Sequence, residues 1–186
     1  MIIRKAIASD ASAITHYLQL AMEDILFEFI RDHNPKSAQA FLLHFVQSVN
    51  NQYSYQNCFV AEEDQQVIAA LNIYDGAHLE QLRAPIANYI ITELKQPFTP
   101  EDETQAGEYY IDSFGVSPEH QGKGIGAKLL QYVIDTYVHQ QQQTVGLLVD
   151  EDNPSAKRLY VKLGFQPVGE KLLVGKKMIH LQLNPE

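Results

Sequence analysis

The strongest structural signal in this sequence is the segment Val116-Ser117-Pro118-Glu119-His120-Gln121-Gly122-Lys123-Gly124-Ile125-Gly126. It lies between a β-prone run, Tyr109 to Val116, and the most regular helical pattern in the chain, Gly124 to His139. The apolar residues of that pattern recur with a period of about 3.6. They are Ile125, Leu129, Leu130, Val133, Ile134, Tyr137 and Val138.

The glycines of this segment let backbone N–H groups turn towards one point, and the start of the helix adds partial positive charge. The segment therefore predicts a phosphate-binding loop. It is not a P-loop, because Gly122-Lys123-Gly124 leads to Ile125 and not to a Ser or Thr that could hold magnesium. A dinucleotide loop requires G-x-G-x-x-G, and Gly126 comes one residue too early for that pattern.

Elements on both sides of the loop define the fold class. The chain returns after the helix through a buried strand, Val145 to Val149, and a strand–helix–strand unit requires a parallel crossover. Upstream we predict a strand over Met1 to Ile7, a hairpin of Cys58 to Ala61 with Val67 to Tyr74, and two helices. The first helix starts at Ser9-Asp10 with Ile14, Tyr17, Leu18, Ala21 and Ile25 on its apolar face, and the second covers Ser37 to Val49.

Downstream, Asn153 and Pro154 start a short helix that Gly164 ends, and strands follow over Phe165 to Glu170 and Met178 to Leu183. The prediction is an α/β fold with a mixed, mostly antiparallel sheet, a parallel central crossover and flanking helices. We interpret residues 1–186 as a single domain. Residues 75–107, with a weak helical pattern and an acidic end, are interpreted as an insertion on the substrate side.

The composition is that of a globular protein, with 45% apolar and 20% charged residues. A net charge of -9 argues against nucleic acid and anionic membrane surfaces as partners. The single cysteine, Cys58, cannot form an internal disulfide, and the sequence does not start with a hydrophobic leader, so we expect a cytoplasmic protein. The histidines lack metal-ligand spacing, and we expect no metal.

The charge is unevenly distributed along the chain. Between Lys95 and Lys123 there are six acids and no base, whereas from Lys123 to Lys177 eight bases face five acids. The basic part suits a ligand with phosphates. The acidic part suits the approach of a cationic amine, although a solvated face would have the same composition.

Gln121, Gly124 and Gly126 match the pattern Gln/Arg-x-x-Gly-x-Gly/Ala, with Val116 and Pro118 upstream. The segment resembles motif A of the GCN5-related N-acetyltransferase (GNAT) family. A later stretch, Asn153-Pro154-Ser155-Ala156 with Leu159-Tyr160 and Gly164-Phe165, resembles motif B of that family. The two motifs have the right order and distance, and they cover residues 109–165.

The resemblance implies that the cosubstrate acetyl-CoA lies where the strands holding Phe114 and Leu148 separate. Backbone N–H groups of the loop would hold its pyrophosphate and polarise the thioester carbonyl. Asn153 matches a position that touches the pantetheine arm, and Tyr160 matches the general acid that protonates the leaving thiolate. The implied binding residues are Phe114, Gly115, Val116, Gln121, Gly122, Lys123, Gly124, Ile125, Gly126, Ala127, Asn153 and Tyr160. An N-cap role for Asn153 and a core role for Tyr160 are the alternatives.

Acetyl transfer requires a neutral amine, so a base has to remove a proton, directly or through water. Strand alternation places Glu108, Tyr110, Asp112 and Phe114 on one face. Asp112 and Tyr110 fall, counted back from Val116, where the family often carries a base, so Asp112 is the first candidate and Glu108 the second. Asp112 could instead attract a cationic substrate or pair with a base, and a bulge in this strand would change which residues share its face.

The function that this resemblance implies is direct transfer of an acetyl group from acetyl-CoA to a primary amine in a ternary complex. A non-catalytic acyl-CoA-binding or sensing domain is the alternative, against which Tyr160 argues. A protein-interaction domain that binds no CoA is a third interpretation. The acceptor stays open between a polyamine-like amine, an aminoglycoside, a peptide N-terminus and a lysine side chain. A homodimer is compatible with all of these.

Overall fold

One seven-stranded sheet runs through the molecule, and a single parallel pair lies at its centre. The computed structural model describes all residues, Met1–Glu186. The strands are β1 (Ile2–Lys5), β2 (Cys58–Glu63), β3 (Gln66–Asp75), β4 (Tyr109–Val116), β5 (Val145–Asp150), β6 (Gln166–Leu173) and β7 (Lys176–Leu183). Their order is β1-β2-β3-β4-β5-β7-β6, and only β4 and β5 are parallel. The predicted fold class and central crossover are confirmed.

Helices cover both faces of this sheet. They are α1 (Ala11–Ile30), α2 (Pro35–Val46), α3 (Leu79–Thr92), α4 (Ile125–Ile134) and α5 (Pro154–Lys162), and a π-helical turn over Asp135–Gln140 extends α4. The predicted stripe of α4 is buried against one face, whereas α1, α2 and α3 share a second hydrophobic cluster on the other face. No helix combines the length and the apolar character needed to cross a bilayer.

The start of the first helix differs from the prediction. The carboxylate of Asp10 does not cap α1 but accepts hydrogen bonds from the Arg4 guanidinium at 2.7 and 3.0 Å and from the Ile7 N–H at 2.8 Å. The backbone angles of Met22 are not helical. From Met22 onward, the buried positions of α1 are Met22, Leu26 and Ile30. Ala21 is exposed, because the buried apolar positions from Ile14 to Ile30 recur every four residues and include its neighbour Met22.

The second helix ends three residues earlier than predicted. Side chains that follow it take up its last carbonyl groups: the Ser48 hydroxyl donates to His44, and the Asn51 amide donates to Phe45. Val49 lies beyond this end and is 50% exposed. The predicted apolar positions Phe41, Leu42, Phe45 and Val46 are all buried in the second cluster.

A bulge in β4 decides which of its side chains share a face. Asn72 lies opposite Ser113 and Ile73 lies opposite Ile111, so Asp112 has no directly opposed partner. Beyond the bulge the alternation is reversed, and Phe114 packs against the α4 cluster. Glu108, Tyr110 and Asp112 stay on the opposite face, so the prediction that Phe114 shares their face is wrong.

Residues 75–107 contain α3, which buries Ile86 and Ile90 in the same cluster as α1 and α2. The segment after α3 crosses the sheet towards the turn between β6 and β7. There the Glu101 carboxylate accepts hydrogen bonds from the N–H groups of Val174 and Gly175 at 3.1 and 3.2 Å. The insertion is thus attached to the C-terminal hairpin.

Replacing Gly115 by alanine is expected to destabilise the fold by about 3 kcal/mol. The added Cβ would lie 2.0 Å from the carbonyl oxygen of Tyr17 in α1, which is backbone and cannot rotate away. Thermal denaturation should show a Tm lower by about 6–12 °C. Gly169→Ala is the matched control, because nothing lies within 4 Å of its added Cβ. A Gly115→Ala variant as stable as the wild type would contradict this close approach of α1 to β4.

Candidate active site

The site forms where the two parallel strands separate. β4 and β5 pair only at Tyr109 with Val145, Tyr110 with Gly146, and Ile111 with Leu147. Beyond these pairs β4 continues along β3, and β5 continues along β7. A cleft therefore opens between Asp112–Val116 and Leu148–Asp150. The strands that hold Phe114 and Leu148 thus separate at the place that the family resemblance implies.

The glycine-rich loop at this cleft presents a row of free backbone donors. The six N–H groups from Gly122 to Ala127 make no hydrogen bond within the protein. An isolated helix start would leave only the groups from Gly124 onward unpaired, so the loop adds two more. Gly122 and Gly124 have left-handed φ angles of 75° and 77°, which glycine adopts without strain. The arrangement can bind an anion such as phosphate.

Gln121, just before the row, and Gly126, within it, have structural roles. The Gln121 N–H donates to the Pro118 carbonyl at 3.4 Å, and its side-chain amide donates to the Val116 carbonyl at 3.2 Å. Gln121 therefore stabilises the loop and is not one of its free donors. Gly126 allows α4 to approach Phe114, because an added Cβ would lie 2.6 Å from the Phe114 ring.

The predicted residues of the second motif lie on and before α5. The Asn153 side-chain oxygen accepts from the Ala156 N–H at 3.1 Å, which is the N-cap role, while its amide N–H groups have no protein partner. Tyr160 packs edge-to-face on Phe165, with ring centroids 6.0 Å apart. Its hydroxyl has no hydrogen-bond partner in the protein, and burial raises its pKa to about 12. Tyr160 thus keeps its proton at neutral pH.

Asp112 is the first residue of β4 past its pairing with β5 and is partly buried. Its Oδ2 accepts a hydrogen bond from the Gln52 amide at 2.7 Å and lies 3.0 Å from the Tyr74 hydroxyl oxygen. Burial, followed by the nearby negative charge of Glu103, raises the pKa of Asp112 to about 7. A carboxylate with that pKa can accept a proton near neutral pH.

Glu108, the second candidate base, is surrounded by donors. Its carboxylate accepts hydrogen bonds from His180, Gln182, Thr104 and Gln105 at 2.7 to 3.1 Å. It lies over Gly146, where an added Cβ would be 1.9 Å from its Oε2. Burial acts to raise the pKa of Glu108, but these hydrogen bonds outweigh it and leave the pKa below its usual range. Glu108 therefore connects the start of β4 to β7, and its oxygens are less suited to accept a proton.

Sequence reasoning did not find the partners of Asp112. Gln52 lies between α2 and β2, Tyr74 lies on β3, Arg83 lies on α3, and Glu103 lies in the segment before β4. The acidic stretch contained Glu103, but no sequence pattern shows which of its carboxylates face inward. Five of the six acids of that stretch make contacts within the protein: Glu101, Asp102, Glu103, Glu108 and Asp112.

A model of the "Acetyltransferase (GNAT) family" matches residues 18–165, which is most of the chain. The chain belongs to the GNAT family. Its separated parallel strands, its row of free N–H groups and its α5 tyrosine all lie within or at the edge of the matched region. The resemblance of residues 109–165 to the family's two motifs is thereby confirmed.

Curated relatives match this GNAT chain over shorter segments. It is similar to the N-alpha-acetyltransferase RimI of Mycobacterium tuberculosis, with 42% identity over 33% of this chain and 37% of that protein. It is also similar to the spermine/spermidine N(1)-acetyltransferase of Bacillus subtilis, with 31% identity over 45% of this chain and 55% of that protein. The chain thus spans about half the length of these relatives or less.

Solved structures match over the full length. An N-acetyltransferase from Staphylococcus aureus Mu50 superposes with a TM-score of 0.84 over 98% of this chain and 100% of that one, at 22% identity. The acetyltransferase yncA of Salmonella typhimurium, solved with its cofactor acetyl-CoA, gives a TM-score of 0.56 over 100% and 94% of the two chains, at 19% identity. These likenesses establish the GNAT fold.

Asp112→Asn is expected to stabilise the protein more at pH 8 than at pH 5. Because the folded pKa of Asp112 lies above its unfolded value of about 3.9, the folded state loses stability as pH rises towards about 7. A neutral amide removes that loss. In thermal denaturation, the difference in Tm between the variant and the wild type should grow with pH. Each kcal/mol of added difference in the free energy of unfolding corresponds to about 2–4 °C. The exposed Asp24→Asn serves as the control, and an equal difference at both pH values would contradict the raised pKa.

Proposed function

We propose that this chain is an acetyl-CoA-dependent N-acetyltransferase that transfers the acetyl group directly to a primary amine. The observation that carries the proposal is the row of unpaired N–H groups from Gly122 to Ala127 beside the opening between β4 and β5. Membership of the GNAT family supports the same chemistry. The full activity and the acceptor are part of the proposal, since the curated relatives are matched over about half their length or less.

The loop and the free side of β4 fit the two ends of the donor. The N–H groups of Gly122 to Ala127 would hold the pyrophosphate, with Lys123 adding positive charge. Backbone groups of Phe114 to Val116 that point away from β3 have no strand partner, so they are free to bind the amide groups of the pantetheine arm. The amide N–H groups of Asn153 are available to the same arm.

The candidate side chains supply two of the three proton transfers that acetyl transfer requires. Asp112 accepts a proton from the acceptor ammonium, and the neutral amine then attacks the thioester carbonyl. A carbon–nitrogen bond forms as the carbon–sulfur bond breaks, and the extra proton on the newly acylated nitrogen leaves to water. The hydroxyl of Tyr160 gives its proton to the thiolate, and both side chains recover their starting state by exchange with water. Glu108 is the weaker choice of base because its oxygens already accept four hydrogen bonds.

The relatives act on different substrate classes, so family membership alone does not identify the acceptor. One relative is an N-alpha-acetyltransferase and another is a spermine/spermidine N(1)-acetyltransferase, so the two differ in the amine that they acetylate. We therefore propose a primary amine as the acceptor class. A cationic acceptor is our hypothesis, supported by the six acids between Lys95 and Lys123, which include Asp112 and Glu103.

The proposal predicts that the protein binds CoA and releases free thiol from acetyl-CoA when an amine is supplied. Calorimetry measures the binding, and a thiol reagent follows turnover with a polyamine, an aminoglycoside, a peptide with a free N-terminus and a lysine peptide. Gly124→Ala should weaken CoA binding by about 10- to 100-fold, since the strained loop would lose charge-assisted hydrogen bonds. Gly175→Ala, with a similar φ of 72° but in the β6–β7 turn, should bind CoA normally.

Each alternative has its own outcome in this experiment. Tight CoA binding without turnover on any amine would identify a sensing domain and overturn the enzymatic proposal. Absence of CoA binding in the wild type would overturn the donor assignment as well.

Tyr160→Phe should lower kcat by about 100-fold while the Kd for CoA stays within about twofold, because general-acid catalysis contributes about 10²–10⁴ and acts only in the transition state. Tyr132→Phe is the matched control, since Tyr132 lies exposed on α4 outside the cleft. Steady-state kinetics and CoA titration of both variants give the comparison. Full activity in Tyr160→Phe would rule out the acid assignment.

A further inference from the structure

We propose that Glu103 is a positioning residue for Asp112, and that the two carboxyl groups form one acid–base unit that shares a proton through Gln52 and Tyr74. The inference rests on the proposed function, in which Asp112 accepts the proton of the acceptor amine. Glu103 comes from the insertion at residues 75–107, outside both sequence motifs. It has no direct role in binding the donor.

The geometry of the unit is compact. The Gln52 amide nitrogen lies 2.6 Å from Glu103 Oε1 and 2.7 Å from Asp112 Oδ2. The Tyr74 hydroxyl oxygen lies 3.1 Å and 3.0 Å from the same two carboxyl oxygens. The Gln52 nitrogen and the Tyr74 oxygen lie 3.0 Å apart, so they form two adjacent bridges between the carboxyl groups, each of hydrogen-bond length.

The number of hydrogens favours an extra proton in this unit. An amide nitrogen carries two hydrogens and a phenol carries one, so three hydrogens are available for the four contacts with carboxyl oxygens. A fourth hydrogen, on one carboxyl group, completes the set: that group donates to the Tyr74 hydroxyl, which donates to the other carboxylate. Two adjacent buried carboxylates also repel each other, which favours the same singly protonated state.

Arg83 decides which carboxyl group holds the proton. Its guanidinium contacts Oε2 of Glu103 and also Asp102, but it makes no hydrogen bond to Asp112. Glu103 is 5% exposed and lies next to this cation, so the negative charge stays on Glu103. The proton then resides on Asp112, which is the member of the pair at the open end of the β4–β5 gap.

The other groups around Asp112 do not supply a competing charge. The titratable and charged groups that face it are Tyr53, Cys58, Tyr74, Arg83, Glu103 and Tyr110. Burial raises the pKa of the three tyrosines and of Cys58 above their usual values, so all four are neutral at pH 7. Glu103 is therefore the negative neighbour of Asp112, and its removal should change how Asp112 titrates.

The test compares Glu103→Gln with Glu101→Gln in the pH dependence of kcat/KM for one amine. Loss of the Glu103 charge should move the acid limb at least one pH unit lower, a roughly tenfold gain in relative rate on that limb, because a like charge raises a neighbouring pKa by this order. Glu101 belongs to the same segment but caps the Val174–Gly175 turn, so its variant should keep the wild-type limb. An acid limb unmoved in Glu103→Gln would overturn the proposal.

A second measurement does not depend on turnover. The titration of the Asp112 carboxyl carbon can be followed by NMR in the free protein, with Asp112→Asn identifying the signal. A midpoint near neutral in the wild type supports the shared proton, and a midpoint below pH 5 overturns it even if Glu103→Gln does not fold. A protein that shows the neutral midpoint but acetylates no amine would contradict the proposed function and leave the carboxyl pair intact.

Discussion

β4 and β5 share only three residue pairs before each strand follows a different neighbour. This short pairing fixes the positions of the other parts of the site. The crossover helix α4 starts soon after the end of β4, so its free N–H groups belong to the loop that leaves this strand. The chain that leaves β5 at Asp150 enters α5 at Pro154, and α5 carries Tyr160. A longer parallel pairing would close the cleft and leave these groups without a common centre.

The bulge at Asp112 sets which face of β4 each side chain of the site occupies. Without it, the alternation of β4 would keep Phe114 on the face of Tyr110 and Asp112. With it, Phe114 packs under the start of α4, while Asp112 turns to Gln52 and Tyr74 on the opposite face. One irregular residue thereby separates the part of the strand that packs against α4 from the part that faces Gln52 and Tyr74, and under the proposed function these parts would meet the donor and transfer protons, respectively. The donor loop and the proton unit can each be packed against a different helix layer.

The parts of the protein that sequence could predict are those fixed by local rules. The loop from Gln121 to Gly126, the apolar stripe of α4 and the Asn153 cap follow from spacing and from residue type. The prediction for Ala21 was wrong because the buried apolar positions of α1 recur every four residues from Ile14 onward, and the prediction for the face of Phe114 was wrong because the bulge depends on pairing with β3. Neither event has a signature in the residues concerned.

The least predictable component is the cluster around Asp112, since its members are up to 60 residues apart in the chain. The charge pattern indicated many acids before β4, yet it could not distinguish a solvated surface from carboxylates with internal partners. In the folded protein most of these acids have partners within the protein, and two of them, Asp102 and Glu103, pair with the cation of Arg83.

The open side of β4 also bears on aggregation. An unpaired strand edge at the margin of a sheet is a template for another polypeptide and must be protected. Here the edge lies in the middle of the sheet, and the gap beside it closes to hydrogen-bonded contact at Ile111 and Leu147. A long strand from a neighbouring molecule cannot run through a gap closed at one end, whereas a narrow, flexible molecule can enter from the other. The protein thus keeps an edge available for recognition without exposing it to strand pairing between chains.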